Sequence, residues 1–213
     1  MEKKKIPTSI YSEMTPNPSA MKFVADRQLI AGGMQVEYRN ATEARGSSAL
    51  ASELFHFPFV TNIFFSGNFV TVTKDESLGW EMIVMQLREY IREWLMENEI
   101  AVSAIPASLM TRTREEVPSE ANGSAEAIDY SQFPTTEYDE QIRHLLNEFV
   151  RPAVESDGGA IDFKAFNSGK VYVQLKGSCS GCPSSTATLK GGIENLLKAQ
   201  LPEVVEEVVA ESV

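Results

Sequence analysis

The chemistry of this chain is concentrated in one short segment that holds its only two cysteines, Cys179 and Cys182. Two thiols three positions apart can chelate one metal ion or one corner of a cluster, or they can close on each other as a disulfide. Gly177 and Gly181 let the backbone turn tightly beside a bulky ligand. Pro183 is typical of the first turn of a helix, and a helix N-terminus favours a negatively charged thiolate. The segment therefore predicts a thiolate loop between a strand and a helix.

Two thiolates do not complete the coordination shell of the metals that prefer sulfur. A closed zinc site and a common iron–sulfur cluster each take about four protein ligands. The two histidines, His56 and His144, stand at no ligand-like spacing from the cysteines, and His144 lies in a helical pattern. We therefore expect the missing ligands to come from another molecule, most simply from a second copy of the chain related by a two-fold axis.

Composition argues against several other kinds of partner. The 213-residue chain has a formal net charge of −11 and no long basic run, so nucleic acid is not an expected partner. No apolar run approaches the ~20 residues of a membrane span. Met1–Pro7 has a basic start with no apolar stretch behind it, so it predicts neither a secretory signal nor a transit peptide. We expect a reducing, cytoplasmic setting, where such a cysteine pair binds a metal or is redox-active.

The elements that position the loop fall into two groups, of which residues 1–102 are the first. The strand candidates are 10–13, 20–25, 35–38, 60–65 and 69–74. The last two strands flank Gly67 and form the clearest hairpin, because β-branched and aromatic residues surround a turn signal. Ser48 is placed to cap a short helix. A long amphipathic helix from Trp80 to Leu95 follows, with both tryptophans in the core.

Helical and strand periodicity disappears between residues 103 and 136. This segment is too polar to bury enough apolar surface to offset the entropy of ordering, so we predict a flexible acidic linker. Order resumes in residues 137–213. A helix interrupted at Pro152, two strands joined at Asn167–Gly169, the cysteine loop, a helix and a last strand at 204–210 follow one another. The predicted fold class is α+β, with two small α+β domains joined by the linker.

Residues from about Glu137 to the end resemble the NifU C-terminal domain of iron–sulfur cluster scaffold and carrier proteins. The matching stretches are Arg151–Val154, Asp157–Gly159, Leu175–Ser185, Leu189–Glu194 and Pro202–Val204. A match of this length is far more specific than a bare Cys-x-x-Cys. Ala160 departs from the pattern, since the family usually has a polar residue, often Asp, after the glycine pair. That position is not a ligand, so the expected cluster site is unaffected.

Residues from about Ile10 to Glu99 resemble the Nfu N-terminal domain. The matching stretches are Thr15–Pro18, Met21–Phe23, Ser48–Leu50, Leu54–Phe55 and Phe69–Lys74, together with Trp80. The resemblance implies a non-enzymatic carrier that holds a [4Fe–4S] cluster between two chains through Cys179 and Cys182. It also implies a homodimer when loaded, an upstream donor scaffold and apo iron–sulfur clients. The longer nitrogenase scaffold has additional cysteines, which this chain lacks.

Two other interpretations of the cysteine pair remain open. A dithiol oxidoreductase would use it as attacking and resolving thiols, although the loop lacks an aromatic residue before Cys179 and the thioredoxin-like strand order. A structural zinc dimer would use the same four thiolates. For the carrier, we expect the glycine-rich loop to leave a cluster near the surface. The first domain has no candidate ligands, and we expect it to dock clients or partners.

Overall fold

The structure, a computed structural model, describes residues 5–106, 130–180 and 183–212. The middle of the predicted linker, residues 107–129, and the loop residues Gly181 and Cys182 lie outside the described residues. The described part of the chain forms two α+β domains, each with its own sheet and hydrophobic core. The predicted fold class is confirmed.

The first domain is a five-stranded antiparallel sheet with helices on one face. Its elements are β1 (Ile10–Met14), β2 (Ala20–Ala25), β3 (Gln35–Tyr38), α1 (Ala41–Ala44), α2 (Ala49–Leu54), β4 (Val60–Ser66), β5 (Phe69–Lys74) and α3 (Trp80–Glu97). The strand order is β1-β2-β5-β4-β3. The predicted strands, hairpin and long helix are confirmed. Ser48 caps α2, since its Oγ accepts a hydrogen bond from Ala51 N at 3.1 Å.

One face of this sheet and the helices make the first core. Helix α3 contributes Ile83, Leu87, Ile91 and Leu95, which recur every four residues. The sheet contributes Phe23, Ile63, Phe65, Val70 and Val72, among others. Both tryptophans lie partly buried against this core, as predicted. Because these helices pack on one face only, the opposite face of the sheet can contact another part of the protein.

The second domain is a three-stranded sheet with helices on one side. Its elements are α4 (Asp139–Leu145), a π-helical turn (Leu146–Val150), α5 (Arg151–Ser156), β6 (Gly159–Asn167), β7 (Lys170–Gly177), α6 (Pro183–Gln200) and β8 (Glu207–Ser212). Strands β6 and β7 are an antiparallel hairpin. Strands β7 and β8 are parallel, which requires a crossover, and α6 supplies it. The last strand begins at 207 rather than at 204, because Val204 N and Val205 N still donate to Leu201 O.

The predicted interruption at Pro152 is confirmed. Helical order changes from α4 to the π-helical turn and then to α5, and Pro152 lies in the first positions of α5. Proline is tolerated in the first turn of a helix, and here Arg151 N, the residue before it, still donates to Leu146 O of the π-helical turn. No helix in the described part of the chain has both the length and the apolar character of a membrane span.

Residues at both borders of the predicted linker are packed on the domains. Ser103 N donates to Ser47 O at 3.0 Å in the first domain. The ring centroids of Tyr130 and Phe133 lie 5.7 and 5.3 Å from that of Tyr172 in β7. The aromatic side chains explain this packing, since they bury more apolar surface than their polar neighbours. Flexibility of the segment between these borders stays a prediction.

Candidate metal centre

The cysteine loop starts where β7 ends, at Gly177, whose φ of +66° lies in the left-handed region that favours glycine. Ser178 ties the loop to the turn between α5 and β6. Its N–H donates to Gly158 O at 3.2 Å, and its hydroxyl donates to Asp157 O. Ser180 Oγ donates back to Gly177 O at 2.9 Å. The described part of the loop is therefore folded onto the domain that carries it.

Cys179 is 7% exposed and belongs to the second hydrophobic core. A Cβ atom on Gly159 would lie 2.6 Å from Cys179 Sγ, so glycine at this position makes room for the sulfur. Helix α6 fixes the other side of the residue, since Thr186 Oγ1 donates to Cys179 O at 3.1 Å. The sulfur thus lies against the first residue of β6.

The surroundings of Cys179 favour the neutral thiol. Burial is the largest influence on the pKa of this thiol and raises it. The Ser178 hydroxyl, with its Oγ 3.8 Å from Sγ, lowers the pKa in part. The negative charge of Asp157 raises the pKa further. The thiolate is the form that binds metals and attacks disulfides. In this conformation the burial of Cys179 therefore disfavours the reactive thiolate.

The sequence predicted Cys179 and Cys182 as a pair, and only Cys179 is among the described residues. Cys182 lies outside them, directly before helix α6 in the sequence. His56 belongs to the first domain, and His144 Nε2 lies 3.0 Å from Glu148 Oε2. In the part of the chain that the structure describes, no three His, Cys, Asp or Glu side chains are grouped to hold a metal ion.

Residues of the first domain lie directly over the loop, and the sequence predictions do not include them. Asn17 Nδ2 donates to Ser178 O at 3.1 Å. Glu37 Oε1 accepts from Gly177 N at 2.9 Å. Residues 178–180 are consequently 2%, 7% and 9% exposed. The sheet of the first domain therefore covers the described part of the loop, and the expectation that the loop leaves a cluster near the surface stays a prediction.

The strands of the first domain do contain a signal for this contact. Phe64 and Phe65 are consecutive in β4, so their side chains point to opposite faces of the sheet. Both are fully buried. A sheet with one face in water shows alternating apolar and polar residues instead. The pattern indicates a covered second face, but the cover comes from a segment that follows about a hundred residues later, and no strand pattern identifies it.

Glu37 is a buried carboxylate at the meeting point of the two domains. Burial raises its pKa most strongly, and the hydrogen bond from Gly177 N and the charge of Arg39 lower it in part. Asn62 Nδ2 also donates to Glu37 Oε1, at 3.1 Å. One oxygen therefore accepts hydrogen bonds from both the first sheet and the cysteine loop.

Comparison with known proteins agrees with this two-domain organisation. Residues 10–98 match the family described as scaffold protein Nfu/NifU N terminal, and residues 142–208 match the NifU-like domain. The chain is similar to the NFU1 iron-sulfur cluster scaffold homolog, mitochondrial, of Homo sapiens, at 35% identity over 202 residues that make up 93% of this chain and 71% of that protein. The protein of the same name from Drosophila erecta is 33% identical over 205 residues, or 95% of this chain.

The chain spans about two thirds of the Drosophila erecta relative, 66% of its length. A solution structure of a NifU-like protein from Saccharomyces cerevisiae covers 48% of this chain and 89% of that one, with 23% identity and a TM-score of 0.41. The two family matches fall on the two domains, and the second match contains the cysteine loop. The chain therefore belongs to the Nfu family of iron–sulfur cluster scaffold proteins.

Proposed function

We propose that this protein carries a [4Fe–4S] cluster as cargo between two copies of itself and delivers it to apo iron–sulfur proteins. The observation that supports this most is that its only two cysteines, Cys179 and Cys182, stand in one loop of a NifU-like domain. Two chains together supply the four thiolates that such a cluster takes. A two-fold axis accomplishes this with one self-complementary interface.

The local residues suit the proposed cargo. Helix α6 begins at Pro183, directly after Cys182 in the sequence, and the partial positive charge of a helix N-terminus favours a nearby thiolate. Gly159 leaves space beside Cys179 that any side chain would fill. Cys179 and Cys182 are the proposed ligands, and Gly159 is proposed to leave room for the sulfur to move.

Delivery follows from the shared coordination. When two subunits separate, each keeps half of the ligands, so retention of the cluster depends on protein concentration. Client thiolates then replace the ligands of the carrier, and an upstream donor scaffold refills the loop. The first domain, which contains no cysteine, is proposed to bring clients or partners close to the cluster.

Anaerobic reconstitution followed by size-exclusion chromatography and iron and sulfide analysis tests the site. The wild-type chain should elute as a dimer with one four-iron cluster per two chains. Cys179→Ser and Cys182→Ser should each abolish both cluster binding and the dimer, since either change removes two of about four ligands from the dimer. Ser180→Ala is the matched control, because it changes the residue between the two positions and leaves both thiols in place. A monomer with a full cluster would contradict the proposal.

Transfer to an apo-[4Fe–4S] client, with and without an iron chelator, tests delivery. The cluster is expected to reach the client at the same rate in both cases, because it moves intact. Transfer that the chelator abolishes would mean that the cluster disassembles first. A reversible thiol–disulfide couple without iron would instead support the dithiol oxidoreductase, and colourless protein with bound zinc would support the structural zinc dimer.

The proposed compartment is the cytoplasm, where thiols are kept reduced. The relatives from Homo sapiens and Drosophila erecta are named as mitochondrial proteins. Fractionation of cells that express the tagged chain separates the two locations.

A further inference from the structure

The face of the first sheet that its own helices do not cover is apolar at its centre. Val24 in β2 pairs with Phe69 in β5, and the ring of Phe64 lies 6.1 Å from that of Phe69. These side chains are 6%, 6% and 0% exposed, although the helices of the domain cover the opposite face. Ala160 of β6 completes the cluster and is fully buried. The second domain is therefore what covers this face.

Polar side chains around the apolar centre are aimed at the backbone beside Cys179. Asn17 donates to the loop and Glu37 accepts from it, as described above, and Thr71 Oγ1 donates to Gly158 O at 2.7 Å. Lys22 Nζ donates to Ser156 O at 3.0 Å. The sheet thus bonds to both segments that hold Cys179, the loop after β7 and the turn before β6. Each of these hydrogen bonds favours the closed contact only modestly, because the same groups bond to water when the domains separate.

Small residues of the second domain allow this close approach. A Cβ on Gly158 would lie 2.9 Å from Thr71 Oγ1, and one on Gly177 would lie 2.7 Å from Phe64 Cδ1. Ala160 faces the first domain, since its neighbour Ile161 packs into the second core instead. Ala160 is apolar and thus fits the apolar surface that Val24, Phe64 and Phe69 form.

We propose that the first domain is a cap that holds the cysteine loop of its own chain closed, and that a cluster is shared with a second chain only after the cap has left. In the closed conformation Cys179 Sγ lies against Gly159, and the backbone of residues 177–180 is bonded to the first domain. Neither the Cys179 sulfur nor the rest of residues 178–180 is then open to a partner. This inference rests on the proposed cluster-binding function.

The first test requires no iron. In a Cys182→Ser chain, Cys179 is the one remaining thiol, so its alkylation rate under reducing conditions reports its access. Val24→Glu places a charge at the centre of the covered face and should raise this rate about tenfold or more, because a buried unpaired charge favours the open state. Tyr11→Glu is the matched control. Tyr11 pairs with Val24 on the same face of the sheet but is 54% exposed, so its change should leave the rate unaltered.

The second test compares anaerobic cluster loading in chains that retain both cysteines. Val24→Glu should load faster than the wild type, whereas Tyr11→Glu should load at the wild-type rate. Ala160→Asp disrupts the same contact from the second domain and should behave like Val24→Glu. Circular dichroism shows whether each variant folds. If Val24→Glu does not fold, Ala160→Asp provides the independent test.

The outcomes separate the cap from the proposed function. Unchanged alkylation of Cys179 in folded Val24→Glu or Ala160→Asp chains overturns the cap, whatever the cluster measurements give. Faster alkylation with unchanged loading overturns the role of the cap in loading. If no chain, including the wild type, binds a cluster while alkylation accelerates, the proposed function fails and the closed contact itself is supported.

Discussion

Replacement of Gly159 by alanine tests the packing of the cysteine most directly. The added Cβ would lie 2.6 Å from Cys179 Sγ and 2.8 Å from Lys176 O. The carbonyl belongs to the β6–β7 ladder, where Gly159 pairs with Gly177, so it has little freedom to move. Overpacking of this kind costs about 1–3 kcal/mol. At about 2 kcal/mol, the midpoint of thermal unfolding of a chain of this size should fall by about 4–8 °C.

Thermal unfolding followed by circular dichroism on the cluster-free chain measures this loss. In a Cys179→Ala background, the cost of Gly159→Ala should be smaller, because one of the two close contacts is gone. It should not vanish, since Lys176 O remains. A midpoint for Gly159→Ala equal to that of the wild type would refute the placement of the sulfur against Gly159. An equal cost in both backgrounds would show that the backbone contact alone accounts for the effect.

Three further predictions concern other parts of the chain. Gly191→Ala in α6, where an added Cβ meets nothing within 4 Å, should stabilise the chain by about 0.5–1 kcal/mol in urea unfolding, and a loss of stability would contradict the open surroundings. Burial raises the pKa of Glu37, so the folded chain binds the proton of this carboxyl group more tightly than the unfolded chain does. The free energy of unfolding should therefore fall as pH rises from the ordinary glutamate pKa through the raised one. Glu37→Gln keeps an acceptor oxygen without the charge, so urea unfolding at several pH values should show a weaker decline; an unchanged decline would exclude Glu37 as its source. Limited proteolysis should cut first between Thr111 and Ser124, a polar stretch with a proline and a glycine, and a first cut inside the β4–β5 hairpin would contradict the proposed domain boundaries.

Local patterns in the sequence determined the elements of this protein. The hairpin around Gly67, the cap at Ser48 and the helix break at Pro152 each follow from rules that act over a few residues, and the structure confirms all three. The predicted start of the last strand, at Val204, is too early. Valine is typical of strands, but Val204 N still donates to Leu201 O at the end of the preceding helix. Tertiary context overrides composition at such borders.

For the candidate site, the sequence predicts the chemistry of the ligands, and it does not predict how exposed Cys179 is. Two cysteines in one glycine-rich loop are sufficient to predict thiolate ligands and their number per chain. Whether Cys179 is exposed or buried depends on the atoms around it. Gly159 lies beside its sulfur because β6 and β7 pair, and that pairing joins residues well separated along the chain.

The contact between the domains was decided by the tertiary structure alone. The consecutive residues Phe64 and Phe65 show that both faces of the first sheet are covered, since side chains alternate along a strand. That alternation cannot identify the cover. Glu37 and Gly177 are 140 positions apart, and they meet because an apolar sheet face fits a backbone that glycine and alanine leave bare. This complementarity exists only between two folded surfaces. Neither segment has a sequence periodicity that would predict it.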